Sequence, residues 1–201
     1  MRKILSVFLI LALLFAFCSC EGNNNVDETT TDENYILPTP VVTSNISLPY
    51  TSAAGFNPYK TESSLNRDLI PVMYESLFVA TDNGKGIAQL AASGEIDGKT
   101  VTVKLLQGIK FSDGGEFISS YVKSSYEKAK NSDFYKAQLS NISSITLVDN
   151  FTIKFTLQSA DPMALNALDF PIAKGNDGSY IGTGKYTIEQ TNGITYLQVN
   201  K

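Results

Sequence analysis

The sequence predicts a mixed α/β layer fold rich in antiparallel strand pairs. Three observations carry this. First, three pairs of strand-patterned runs close on tight-turn dipeptides: Asp97-Gly98, Asp149-Asn150 and Asn192-Gly193. Second, two stretches place apolar residues at helical spacing between those runs. Third, 43% of the 201 residues are hydrophobic and 18% charged, enough apolar material for a core and too little charge for a wholly disordered chain.

Taken in order, Ile46 to Tyr50 reads as a short strand, and Asn57-Pro58 as a turn. Leu65, Leu69, Val72, Met73 and Leu77 then recur on one helical face, with Ser63 or Ser64 as the cap. Pro71 falls inside that run and predicts a kink or a late helix start, because it removes a backbone donor. Asn83-Gly84 marks a turn. Glu95-Ile96 and the strictly alternating Thr100 to Leu105 form the first hairpin. Phe111 leads into the turn Ser112-Asp113-Gly114-Gly115. Ile118 to Lys130 is the second helix, with Tyr121, Val122, Ser125, Tyr126 and Ala129 on one face. Ser144 to Val148 pairs with Thr152 to Leu157. After Ile181-Gly182-Thr183-Gly184, Tyr186 to Glu189 pairs with Thr195 to Val199. Sequence repeats of fixed period are not visible.

Ahead of this folded part stands an address. Arg2 and Lys3 precede an apolar run of roughly 14 residues, Ile4 to Phe17, which is short of the ~20 a membrane-spanning helix needs. Cys20 follows the small Ser19, whereas Cys18 follows the bulky Phe17. Residues 1–19 therefore read as a lipoprotein signal peptide, and Cys20 as the residue that takes the lipid. A lipid on Cys20 consumes its sulfur and leaves no pair for a disulfide. Residues 20–44 are acidic and polar, with Pro38 and Pro40 near the end. They read as a lipid-anchored flexible stalk, and the folded part as 45–201.

Composition also excludes functions. The formal net charge is −4, and loss of Arg2 and Lys3 with the signal leaves 14 bases against 20 acids, a net of −6. Such a surface does not suit nucleic acid. The chain has no His, so Ser-His-Asp triads, Cys-His dyads and most catalytic zinc sites lack their base or ligand. No EF-hand spacing or cysteine cluster offers a metal site, and no cofactor motif is present. The expectation is a protein that is not an enzyme.

A set of short motifs then runs in a recognisable order: Asn57-Pro58; Tyr74-Glu75-Ser76-Leu77-Phe78; Leu90-Ala91-Ala92-Ser93; Asp97-Gly98-Lys99-Thr100; Gly108 to Gly114 (GIKFSDG); Val122 to Ser125; Asp149 to Ile153 (DNFTI); and Ile181 to Tyr186 (IGTGKY). In that order they resemble the extracytoplasmic solute-binding proteins of family 5, which serve peptide and nickel importers. The resemblance covers about Ile46 to the end. It departs from the family pattern at Gly94, where Trp is usual, at Lys185, where Pro is usual, and at Tyr121, where Asp is usual.

The resemblance implies the N-terminal lobe of a two-lobed, periplasmic-binding-protein-like fold (type II, large class), here incomplete, because family members are usually more than twice as long. It implies capture of a solute, most simply a peptide, for an ABC importer whose permease is the partner. It places the protein at the extracytoplasmic face of the bacterial membrane. It implies a truncated, weakly binding form. The alternative is a surface interaction lipoprotein that kept the lobe and lost transport. In such clamps the ligand lies extended and is held by main-chain hydrogen bonds. Asn57, Tyr59, Gly182, Thr183 and Gly184 are the candidate ligand contacts, because their two loops carry the matching motifs and glycine permits close backbone approach. Tyr74, Leu77 and Phe78 are expected in the core, and Glu75 as a buried ion-pair partner.

Overall fold

The computed structural model describes residues 47–177 and 179–200, which belong to one unit, Ser47–Lys201. The expected signal peptide, Cys20 and the stalk lie outside the described residues, as does Ile46. Ser47 to Tyr50 is irregular rather than a strand. Its Tyr50 hydroxyl donates to Thr195 Oγ1 (2.8 Å), and its ring stacks on Phe56.

Helix α1, Ser64–Met73, starts where the sequence places its cap: Ser63 Oγ accepts from the Asn66 amide. The expected face is partly inward, with Met73 buried and Leu69 and Val72 half-buried against the core, but the deepest stripe is shifted from it. Leu65 is 41% exposed, and the inward positions are Asn66, Ile70 and Met73. The reason is a polar anchor. The Asn66 carboxamide accepts from Thr51 N (2.7 Å) and donates to the carbonyls of Thr51 (2.9 Å) and Gly55 (2.6 Å), so the 51–55 loop lies across the helix. Pro71 sits in the last turn, and the helix ends at Met73, so Leu77 lies beyond it as a fully buried core residue.

Strands β1 (Phe78–Val79) and β2 (Ile87–Ala88) form a short hairpin. The main sheet has four antiparallel strands: β3 (Ala91–Asp97), β4 (Thr100–Leu105), β5 (Ile142–Asp149) and β6 (Thr152–Leu157), in the order β3-β4-β6-β5. Both expected hairpins are present, with Asp97 opposite Thr100 and Asp149 opposite Thr152. Alternation does what the sequence asks: Val101, Val103 and Leu105 of β4 and Ile153, Phe155 and Leu157 of β6 turn inward. They share one core with Val122, Tyr126 and Ala129 of helix α2, Ser119–Ala129. The Tyr126 hydroxyl donates to Ile142 O (3.0 Å) and ties α2 to β5.

After the sheet the chain adds two hairpins. β7 (Lys174–Asn176) pairs with β8 (Ser179–Ile181), and β9 (Tyr186–Thr191) with β10 (Ile194–Val199). The β9–β10 turn has φ of 53° at Asn192 and 77° at Gly193, the left-handed pair that a two-residue hairpin of matching twist requires. Backbone hydrogen bonds make one of the junctions between these hairpins and the rest. Gly184 N donates to Met73 O (3.0 Å), Ile172 N to Glu75 O (2.9 Å) and Ser112 N to Gly182 O (3.0 Å). A Cβ at Gly182 would stand 1.9 Å from Met73 O, so the Gly-Thr-Gly segment passes the end of α1 at a distance only glycine allows.

Candidate functional site

An open cavity of about 740 Å³ lies beside the C-terminal end of α1. Its walls are consecutive runs of chain: Ala53 to Asn57, Met73-Tyr74, Ser179 to Gly182 and Tyr186 to Glu189, with Ser112, Asp177, Val199 and Asn200. Consecutive residues from a strand reach a cavity when the strand meets it along an edge. The parity of β9 supports this. Asn200 N donates to Lys185 O (2.8 Å), so alternate residues from Lys185 onward direct their backbone groups at β10. The N–H and C=O groups of Tyr186 and Ile188 therefore point away from β10, and both residues line the cavity. β8 likewise pairs only with β7.

The polar groups are phenols, amides and two carboxylates. None of the described lining residues is basic; Asp177 and Glu189 are acidic. Asp177 is the most engaged. Lys60 Nζ bonds its Oδ2 (2.6 Å), while Tyr180 OH (2.9 Å) and Asn57 Nδ2 (3.4 Å) donate to its Oδ1. The Lys60 bond, then the Tyr180 bond, holds this carboxyl below the usual carboxylate range. Burial pushes the Tyr74 phenol up to about 12 and raises that of Tyr180 as well, so both stay neutral. Neutral phenols and a β9 edge turned away from β10 suit hydrogen bonding to an uncharged backbone.

The expected site residues divide. Asn57 and Gly182 line the cavity. Asn57 also builds its own loop, accepting from Tyr59 N (2.9 Å). Tyr59 is 3% exposed; its hydroxyl donates to Pro171 O (3.1 Å), and its ring meets Tyr180 edge-on. It stands on the wall of a second cavity of about 470 Å³, with Lys60, Lys128 and Ser132. Thr183 and Gly184 face the junction instead. Thr183 Oγ1 donates to Glu75 Oε2 (2.8 Å), so the partner of Glu75 is a hydroxyl and not the expected cation. Gly184 O accepts from Asn200 Nδ2 (3.0 Å). Phe56, Ser112, Asp177 and Tyr180 were not expected. Asp177 meets Asn57 and Lys60 across a separation of more than a hundred residues, and no local pattern announces such a contact.

The sequence model described as bacterial extracellular solute-binding proteins, family 5 middle, matches residues 85–201. The chain belongs to this family. Among curated relatives, the glutathione-binding protein GsiB of Escherichia coli K12 is 30% identical over 166 residues, covering 72% of this chain and 32% of that protein. GsiB of Pectobacterium atrosepticum is 31% identical over 164 residues, covering 73% and 32%. The chain thus spans about a third of the length of the curated relatives it matches, and they are binding proteins rather than enzymes. The fold is similar to part of the oligopeptide-binding protein AppA of Bacillus subtilis, solved with a nonapeptide: TM-score 0.60, 23% identity, 78% of this chain and 35% of that one. NikZ of Campylobacter jejuni, solved with Ni(L-His), has a TM-score of 0.61 at 23% identity, covering 76% and 34%.

Proposed function

We propose that this chain captures a solute, most simply a short peptide, at the extracytoplasmic face of a bacterial membrane and supplies it to an ABC importer through that importer's permease. The observation that carries the reading is the cavity beside α1, walled by strand edges whose backbone groups at Tyr186 and Ile188 have no partner in β10. An extended ligand adds to such an edge by main-chain hydrogen bonds, so its side chains are read loosely. Asn57 and Gly182 meet the ligand. Tyr59, Thr183 and Gly184 set the positions of the two loops.

The chain spans about a third of its relatives' length, and in this proposal it supplies only part of the contacts that hold a ligand. If a micromolar ligand binds with about −8 kcal/mol and one wall supplies half, about −4 kcal/mol remains, near millimolar. Weak capture is therefore the expectation for this chain alone. In the same proposal residues 1–19 are a signal peptide, Cys20 carries the lipid, and residues 20–44 space the folded part from the membrane. Acyl chains contribute about 0.8 kcal/mol per buried methylene, and more than one makes retention lasting.

The test is equilibrium binding of a mixture of short peptides to the full chain in detergent, with Asn57→Ala beside it. The proposal expects weak binding that Asn57→Ala reduces further. Tight binding of a non-peptide solute with no response to peptides would replace the ligand class, and binding that ignores this cavity would replace the site.

A further inference from the structure

The two edges of the main sheet are protected unequally. β3 carries Glu95 and Asp97 and a register shift between Ala91 and Ser93, features that discourage pairing. β5 ends on Asp149 as β3 ends on Asp97, but it has neither charge nor proline from Asn141 through Val148, and Leu147 and Val148 are 38% and 53% exposed. Its register shifts lie at the two ends, which leaves Ser144 to Leu147 as a regular run.

Backbone parity fixes what that run offers. Leu157 N donates to Lys99 O (2.7 Å) and Leu105 N to Phe151 O (2.8 Å), so the odd-numbered residues of β6 face β4. The even-numbered residues Lys154 and Thr156 then bond β5 through Thr146 and Ser144. The N–H and C=O groups of Ile145 and Leu147 are left pointing off the sheet. Their side chains share the core face with Phe155 and Ile153, and Thr146 shares the outer face with Lys154.

We infer that β5 is a self-association edge, and that its occupant is β5 of a second copy of this chain, antiparallel about a two-fold axis through Thr146. In that register Ile145 and Leu147 of one copy exchange main-chain hydrogen bonds with Leu147 and Ile145 of the other. Thr146 faces its own equivalent as a non-hydrogen-bonded pair. Over 145–147 apolar residues oppose apolar ones and hydroxyl opposes hydroxyl, Val148 then stands opposite Ser144, and no charge meets a like charge. Shifting the centre to Ile145 would set Thr146 opposite Ser144 and leave Leu147 without an apolar partner. The two four-stranded sheets join into one of eight strands. The contact is small, so the association is transient unless other surfaces join it. This inference does not rest on the ligand-capture reading.

A cysteine at the axis tests it. Antiparallel non-hydrogen-bonded pairs hold their Cα atoms about 4.5 Å apart, within the range a disulfide spans. The full chain with Cys18 and Cys20 replaced by serine is oxidised gently in detergent, carrying either Thr146→Cys or Ser144→Cys. Both positions are exposed on the outer face. The inference expects a linked dimer from Thr146→Cys at several times the rate of Ser144→Cys. A second arm uses charge: Thr146→Lys and Thr146→Glu each weaken self-association in sedimentation, and their mixture restores it as a heterodimer. Equal cross-linking at both positions, or sedimentation of the unaltered chain as a monomer up to its solubility limit, would overturn the inference.

Discussion

Replacing Gly182 with alanine tests the junction that holds the ligand wall to the rest of the fold. The added Cβ would stand 1.9 Å from Met73 O and 2.8 Å from Tyr74 Cδ1, where contacts closer than 3.0 Å essentially do not occur. The nearest atom is backbone at the end of α1, so no side-chain rotation relieves the clash, and the segment must retreat by about 1 Å. Overpacking of this kind costs about 1–3 kcal/mol. The retreat also strains three hydrogen bonds: Gly184 N to Met73 O, Thr183 Oγ1 to Glu75 Oε2, and Ser112 N to Gly182 O. At about 1 kcal/mol each, partial loss brings the total to about 3–5 kcal/mol. For a chain of this size that lowers the melting temperature by roughly 6–20 °C. Gly193→Ala is the control. Its Cβ meets nothing within 4 Å, and only the positive φ of 77° opposes it. About 1 kcal/mol, or roughly 2–4 °C, is expected there. Thermal unfolding of the full chain followed by circular dichroism reads both. A Gly182→Ala protein that melts with the unaltered chain, or no lower than Gly193→Ala, would refute the close-approach argument.

Asn66→Ala removes the three hydrogen bonds that lay the 51–55 loop on α1 and leaves backbone groups short of partners; a loss of about 2–4 kcal/mol and early proteolytic cleavage within 51–57 are expected. Asp177 has its pKa depressed by Lys60 and Tyr180, so its stabilisation is present above the ordinary carboxylate pKa and is lost as pH falls through the lower folded value. Melting temperatures of the unaltered chain and Asp177→Asn should therefore differ at neutral pH and converge in acid; a gap that widens in acid would contradict the assignment. Cys20→Ala should abolish metabolic labelling by a fatty-acid analogue and release the protein from the membrane fraction, whereas equal labelling would remove the lipid anchor from the proposal.

Much of this fold follows from local pattern. The three hairpins at Asp97-Gly98, Asp149-Asn150 and Asn192-Gly193 are legible because each couples a turn dipeptide to alternating strands. The inward face of α2 is legible because Val122, Ser125, Tyr126 and Ala129 repeat at helical spacing. Helix α1 is legible only in part: Met73, Leu69 and Val72 do meet the core, but the deepest position is the polar Asn66, whose burial depends on a loop that periodicity ignores. The β7–β8 hairpin escaped because three-residue strands are too short for alternation to register. At the candidate site, Asn57 and Gly182 were legible as loop residues. Their use was not, because the atoms that decide it, Asp177 and Met73 O, arrive from distant chain. Thr183 and Gly184 stand in the same motif as Gly182 yet face Glu75 and Asn200, a division that appears only once the end of α1 is in place.

The central claim is that an extended ligand is held by main-chain hydrogen bonds to the strand edge at Tyr186 and Ile188. Ligand-observed nuclear magnetic resonance with the full chain measures this directly, because saturation transfer reports binding as weak as the millimolar range expected of one wall. The ligands are a short peptide and the same peptide N-methylated along its backbone, which keeps the side chains and removes the donors. The account predicts transfer to the unmodified peptide, little to the methylated one, and loss of transfer in Ile188→Pro, where the edge donor is gone. Equal transfer to both peptides, unchanged by Ile188→Pro, would contradict it.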